Sequence, residues 1–151
     1  GTATAEGIAR MIWSVEASVA VRWFIEEEAH AHADEVLKRM VDEPRRFAVP
    51  ELFSFELFAV LHRLHPDTIQ VFTKAIIPLL QGGIFRHPMT EDLAIKASRF
   101  VRLGLTGCDA CYAALAKDMK GLWLTFDHKA HRLIEKEKVS CLLTGGLPRN
   151  W

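Results

Sequence analysis

The sequence predicts an α/β protein built on a parallel β-sheet with helices covering both faces. Three observations lead there. Met11–Val15 (MIWSV), Phe47–Val49 (FAV), Leu122–Phe126 (LWLTF) and Val139–Leu143 (VSCLL) are short apolar runs of the kind found in strands buried on both faces. Longer segments of helical spacing separate them, and that alternation is the pattern of a parallel sheet with crossover helices. Proline and glycine punctuate the junctions.

The elements follow in order. Met11 to Val15 reads as the first strand and Ala17 to Ile25 (ASVAVRWFI) as a short helix. His30 to Val41 has helical spacing and Pro44 breaks it. After the brief FAV strand, Pro50 is read as the first-turn proline of a strong helix, ELFSFELFAVLHRL. Pro66 and Asp67 open the next helix, which Pro78 is expected to kink or end. Gly82-Gly83 turns the chain into the strand IFRH, and Thr90 starts a helix with Glu91 and Asp92 in its first turn. A helix over 107–119, the LWLTF strand, a helix from Asp127 to Lys136 and the VSCLL strand complete the chain.

The composition narrows the class. With 151 residues, half apolar and a quarter charged, the chain suits one globular domain. That domain is assigned to residues 11–151, with Met11 as its natural start. Residues 1–10 (GTATAEGIAR), small and polar, are expected to be a non-native remnant or a disordered extension. No apolar run is long enough to span a membrane, and no signal peptide opens the sequence. Nineteen basic residues balance nineteen acidic ones, so any grip on nucleic acid is expected to be local rather than a broad basic face. Three cysteines do not make a disulfide framework, which places the protein in a reducing cytoplasm.

In a parallel α/β sheet, ligands gather at the carboxyl ends of the strands. Four acids stand there or can reach there: Glu16 after the first strand, Asp127 after LWLTF, Asp109 in the first turn of its helix, and Glu56 a turn or two into its own. Each has a plainer reading beside the functional one. Glu16 could be a polar strand end, and Asp127 could cap the helix that follows it. Thr106-x-x-Asp109 fits a capping box. Glu56 lies among Leu52, Phe53, Phe55, Leu57, Ala59 and Val60, in a helix apolar almost all round and so expected to be largely buried. A carboxylate there is costly unless paired or metal-bound, and the alternative is a polar stripe continuing to Arg63.

Two other motifs compete. Cys108-Asp-Ala-Cys111 could be a dithiol redox centre at a helix start. However, it follows a helix and turn rather than a strand, and an aspartate between the cysteines opposes thiolate formation. Zinc would need two further ligands. Cys141 reads as a core strand residue. The pairs His62/His65 and His128/His131 could each share a helix face, but no H-E-x-x-H accompanies them.

The four acidic segments together carry a resemblance. SVEASVAVRWF, PELFSFELFAVL, LTGCDACYAALA and LWLTFDHKAHRL, in this order across 11–147, resemble the four acidic segments of the PIN domain family, in particular VapC-like toxin ribonucleases. The resemblance implies a three-layer α/β/α sandwich with a central parallel sheet. It also implies a metal-dependent endoribonuclease, the toxin of a VapBC-type pair, commonly dimeric and held inactive by a cognate antitoxin. On that reading Glu16, Glu56 and Asp109 hold Mg²⁺ or Mn²⁺, and Asp127 completes the acidic cluster or holds a second ion. Ser18 and Thr125 are possible supports, with helix-start and strand-end structure as their plainer roles. The substrate would be single-stranded or loop RNA.

One departure stands out: Glu16 occupies the position where the family pattern has Asp. It leaves open a weak or inactive PIN domain that binds an antitoxin or RNA, beside the C-x-x-C redox alternative. The aromatic residues Trp23, Phe24, Phe53, Phe55 and Phe58 supply many large side chains for one core, so some are expected to line an interface with a second copy or an antitoxin, the plainer reading of each being a core residue.

Overall fold

The computed structural model describes residues 11–151, so the expectation for residues 1–10 lies outside the described residues. Five parallel strands form the sheet: β1 (Trp13–Val15), β2 (Phe47–Pro50), β3 (Phe85–His87), β4 (Leu122–Thr125) and β5 (Ser140–Leu142), in the order β3-β2-β1-β4-β5. The helices are α1 (Ala17–Val21), α2 (Ala31–Asp42), α3 (Leu52–Leu64), α4 (Thr68–Val71), α5 (Ile77–Gln81), α6 (Glu91–Arg102), α7 (Gly107–Asp118) and α8 (His128–Ile134). They flank the sheet in a three-layer α/β/α arrangement.

The order has a functional consequence. The chain builds outward from β1 to β2 to β3, then returns to the other side of β1 for β4 and β5. The direction of winding therefore reverses between β1 and β4, which leaves a crevice beyond their carboxyl ends. Both strands are buried because they sit at the centre of the sheet. Trp13, Val15, Trp123 and Leu124 have no exposed surface.

α7 lies directly beneath this centre. Ala110, Ala113, Ala114 and Ala116 are buried along it, and their small side chains let the helix approach β1, β2 and β4 closely. Gly121 allows another close approach at the entry to β4, where an added Cβ would lie 1.7 Å from the backbone oxygen of Ile12.

Several boundaries differ from expectation. The first helix ends at Val21 rather than Ile25. Pro50 does not open a helix; it closes β2, and the helix starts at Leu52. The amide of Glu51 then takes up the His87 carbonyl at 2.8 Å. Pro78 neither ends nor breaks its helix. The turn before it, Phe72–Ile76, widens to a π-helix and the chain continues as α5. A π turn absorbs the missing amide hydrogen and the ring's bulk. α8 ends at Ile134 and tightens into a 3₁₀ turn at Glu135–Glu137.

α3 is not buried all round. Phe53, Leu57 and Leu61 are buried, whereas Phe55 is 72% and Phe58 40% exposed. The apolar character of its sequence is thus divided between a core face and a face turned to solvent.

Candidate active site

The site forms at the carboxyl ends of β1 and β4. Parallel register pairs Val15 with Leu124, so the next residues, Glu16 and Thr125, face each other. Thr125 Oγ1 donates a short hydrogen bond to Glu16 Oε1, and Ser18 Oγ donates to the same oxygen at 2.8 Å. Glu16 is 7% exposed. Its burial, with Asp109 and Asp127 nearby, raises its pKa to about 7, although the two hydroxyl bonds act in the opposite direction.

Asp109 connects the rest. It sits at the third position of α7, where Thr106 Oγ1 accepts from its amide at 3.1 Å. Burial raises the Asp109 pKa, and the charge of Asp127 adds to the effect. Asp109 in turn raises Glu56, whose shift comes first from burial. Tyr112 Oη donates to Glu56 Oε1 at 2.8 Å and eases that shift. Deep burial, and after it the charge and contact of Glu56, push the tyrosine hydroxyl far above its ordinary pKa. Asp127 caps α8: Oδ1 accepts from the amide of Ala130 at 3.0 Å, and the Asp127 amide donates to Thr125 Oγ1 at 3.0 Å. Thr106 caps α7 through the Asp109 amide and Asp127 caps α8, and both aspartate carboxylates still act on their acidic neighbours.

The four acids are therefore electrostatic neighbours, but they do not form a preformed ion cage. Among the described residues, no group of three or more His, Cys, Asp or Glu side chains is arranged to hold a metal ion. The contacts show how each carboxylate is held instead. Glu16 is turned toward two hydroxyls, Glu56 toward Tyr112, and Asp127 toward its cap. Carboxylates without a countercharge repel one another and settle on neutral donors. The donor set itself, all carboxylate oxygen, suits Mg²⁺ or Mn²⁺.

Tyr112 is the participant the sequence reading missed. It lies three residues beyond Asp109, on the same helical face, and is the chain's only tyrosine. In an alanine-rich helix an aromatic residue reads as core, and Tyr112 does stack on Trp123 with ring centroids 6.3 Å apart.

The residues of the competing motifs have the following surroundings. Cys108 and Cys111 are free, and both thiols are pushed up, first by burial and then by neighbouring acids or thiol. Cys141 lies half-buried in β5. The histidines have other partners: His62 packs edge-on to Phe58, His65 Nδ1 accepts from the Asp67 amide, His131 bonds Ser140 at 2.7 Å and His128 contacts Thr144 at 3.2 Å.

The model of the PIN domain matches residues 14–136, the span that carries all four acids. The chain belongs to the PIN domain family. Its fold is shared with FitAcB from Neisseria gonorrhoeae (15% identity, TM-score 0.62, covering 82% of this chain and 94% of that one). It is shared too with VapC20 from Mycobacterium tuberculosis, described as a sarcin-ricin loop cleaving toxin (14%, 0.59, 80% and 93%). A third neighbour is VapBC2 from Rickettsia felis, solved on a DNA fragment from its promoter (13%, 0.60, 85% and 93%). At these identities the likeness is one of fold. A curated sequence, the uncharacterized carboxylase YngE of Bacillus subtilis, is 32% identical over 81 residues. Those residues are 54% of this PIN chain and only 14% of that protein.

Proposed function

We propose that this PIN domain, residues 11–151, is a Mg²⁺- or Mn²⁺-dependent endoribonuclease that hydrolyses single-stranded or loop RNA as the toxin of a VapBC-type pair. The observation that carries the reading is the buried Glu16 at the reversal of the sheet, with its pKa raised to about 7 and Asp109 and Asp127 contributing. A buried anion crowded by other anions calls for a cation. Glu16, Glu56 and Asp109 would hold the ion, and Asp127 would complete the cluster or hold a second one. When bound, the ion supplies positive charge and Lewis acidity toward a phosphodiester. Ser18 and Thr125 fix the direction of the Glu16 carboxylate, and Tyr112 fixes that of Glu56.

The toxin assignment draws on the fold neighbours, which include toxin–antitoxin complexes. An antitoxin partner and a homodimer are further parts of the proposal, supported by the apolar surface at Phe55, Phe58 and Leu64 on α3. Among the described residues no helix is long and apolar enough to cross a membrane, and the proposed setting is the cytoplasm.

The test is cleavage of single-stranded and stem-loop RNAs with Mn²⁺, with Mg²⁺ and with EDTA, beside Asp109→Ala. Metal-dependent cleavage by the parent and none by the variant supports the proposal. RNA or antitoxin binding without cleavage supports a second reading, a PIN domain that binds only. That reading is favoured by the hydroxyl contacts that hold Glu16 and by the longer side chain at this position.

A further inference from the structure

We infer that Arg63 and Arg22 form a phosphate-positioning subsite, which holds a backbone phosphodiester of single-stranded RNA beside the one that is cut. The inference rests on the nuclease reading above. A cavity of about 310 Å³ opens between α1 and α3, and its lining includes the carboxylates Glu16, Glu28 and Glu56 together with Arg22 and Arg63. Arg63 lies seven residues beyond Glu56 on α3, which is two helical turns and about 10 Å along the same face. The two arginines thus line the same opening as the acids without neutralising them. Among the described residues Arg63 forms no ion pair, and neither Arg63 nor Arg22 is bridged to Glu16 or Glu56.

Arg22 is already held in place. Its Nη1 donates to the Glu28 carbonyl at 3.1 Å and its guanidinium lies 4.0 Å over the ring of Phe126. Its Nε–H is buried and has no acceptor among the described residues. Arg22, held by these contacts, and Arg63, exposed, both border the opening, and two guanidinium groups at one opening suit the forked recognition of a phosphate. The charge balance strengthens the argument. With basic and acidic residues equal in number, the net charge gives no overall attraction for a polyanion, and cations that border the cleft act where the strand would lie.

The test is equilibrium binding of a single-stranded RNA oligonucleotide over a range of salt concentrations in EDTA, where metal-dependent cutting is silent. Arg63→Ala should bind roughly fivefold more weakly, and the slope of log K against log salt should fall by about 0.7. Arg63→Lys should keep the slope of the parent, and Arg102→Ala, a removed cation on α6, should leave both quantities unchanged. With Mn²⁺ present, Arg63→Ala should raise KM more than it lowers kcat. Arg22→Ala should repeat the loss of slope, and Arg22→Lys should restore it. If the parent binds RNA and neither alanine variant changes the slope, the subsite is refuted while the nuclease reading stands. If the parent neither binds nor cuts any RNA, both fall together.

Discussion

Glu16 meets two opposed demands. It must remain a carboxylate to attract a cation, yet its position at a buried strand end favours the protonated form. In the unfolded chain it ionises near 4.5, and in the folded, metal-free protein near 7. Between those values the folded state holds the proton that the unfolded state has released, so stability falls as pH rises through that window. The difference corresponds to about 3 kcal/mol at most, reached above pH 7. Chemical denaturation of the metal-free protein should show this decline, and Glu16→Gln should flatten it and be more stable than the parent at pH 8. Saturating Mn²⁺ should recover part of the loss in the parent but not in the variant.

On the sequence resemblance Glu16 stands where the family pattern has Asp, and in the proposed centre its carboxylate would reach one methylene further. Mg²⁺ is the less tolerant of poor octahedral geometry. Glu16→Asp should therefore increase Mg²⁺-supported cleavage, and Glu16→Ala should abolish it, with rates compared on one RNA at fixed metal concentration. Glu16, Asp109 and Asp127 could be singled out in the sequence because they sit at strand ends and helix starts, and Glu56 because it is a carboxylate within an apolar helix. Tyr112 was not, because its hydroxyl gains a role only once α3 is packed beside α7.

At the scale of elements, the strands were legible and the helix ends less so. Continuous apolar runs marked four of the five strands to within about two residues, because strands buried on both faces need apolar side chains throughout. Proline was the less reliable guide. Pro50 reads equally well as the end of a strand or the start of a helix, and Pro78 is absorbed by a π turn that depends on packing rather than on local sequence. The apolar run of α3 gave no sign of which aromatic residues would face outward, since Phe53 and Phe55 differ only in helical phase.

Two substitutions test the elements that position the acids. Gly121→Ala would drive a methyl group into the backbone of Ile12 at the start of β1, and no side-chain rotation relieves that contact. A loss of about 3 kcal/mol or more is expected in urea denaturation. Thr106→Ala removes the hydroxyl that caps α7 and should cost about 1 kcal/mol. It should also loosen Asp109 and so lower metal affinity more than that modest cost suggests. An unchanged affinity would separate the cap from the site.

Over the whole molecule, the order β3-β2-β1-β4-β5 converts dispersed acids into neighbours. Glu16 and Asp127 are more than a hundred residues apart in the chain, yet they follow adjacent strands at the point where the winding reverses. Alternating strands and helices made the parallel sheet readable. Only the strand order, which pattern alone does not fix, places the cleft between β1 and β4 rather than elsewhere along the sheet. Glu16, Glu56 and Asp109, with Asp127 beside them, are proposed to constitute one divalent-cation centre. Titration of Mn²⁺ into the protein, with the free ion followed by electron paramagnetic resonance, tests it most directly. Saturable binding in the parent that is lost in Glu56→Ala and Asp109→Ala, with both variants folded, is the predicted result. Binding in those variants that equals that of the parent would contradict the claim.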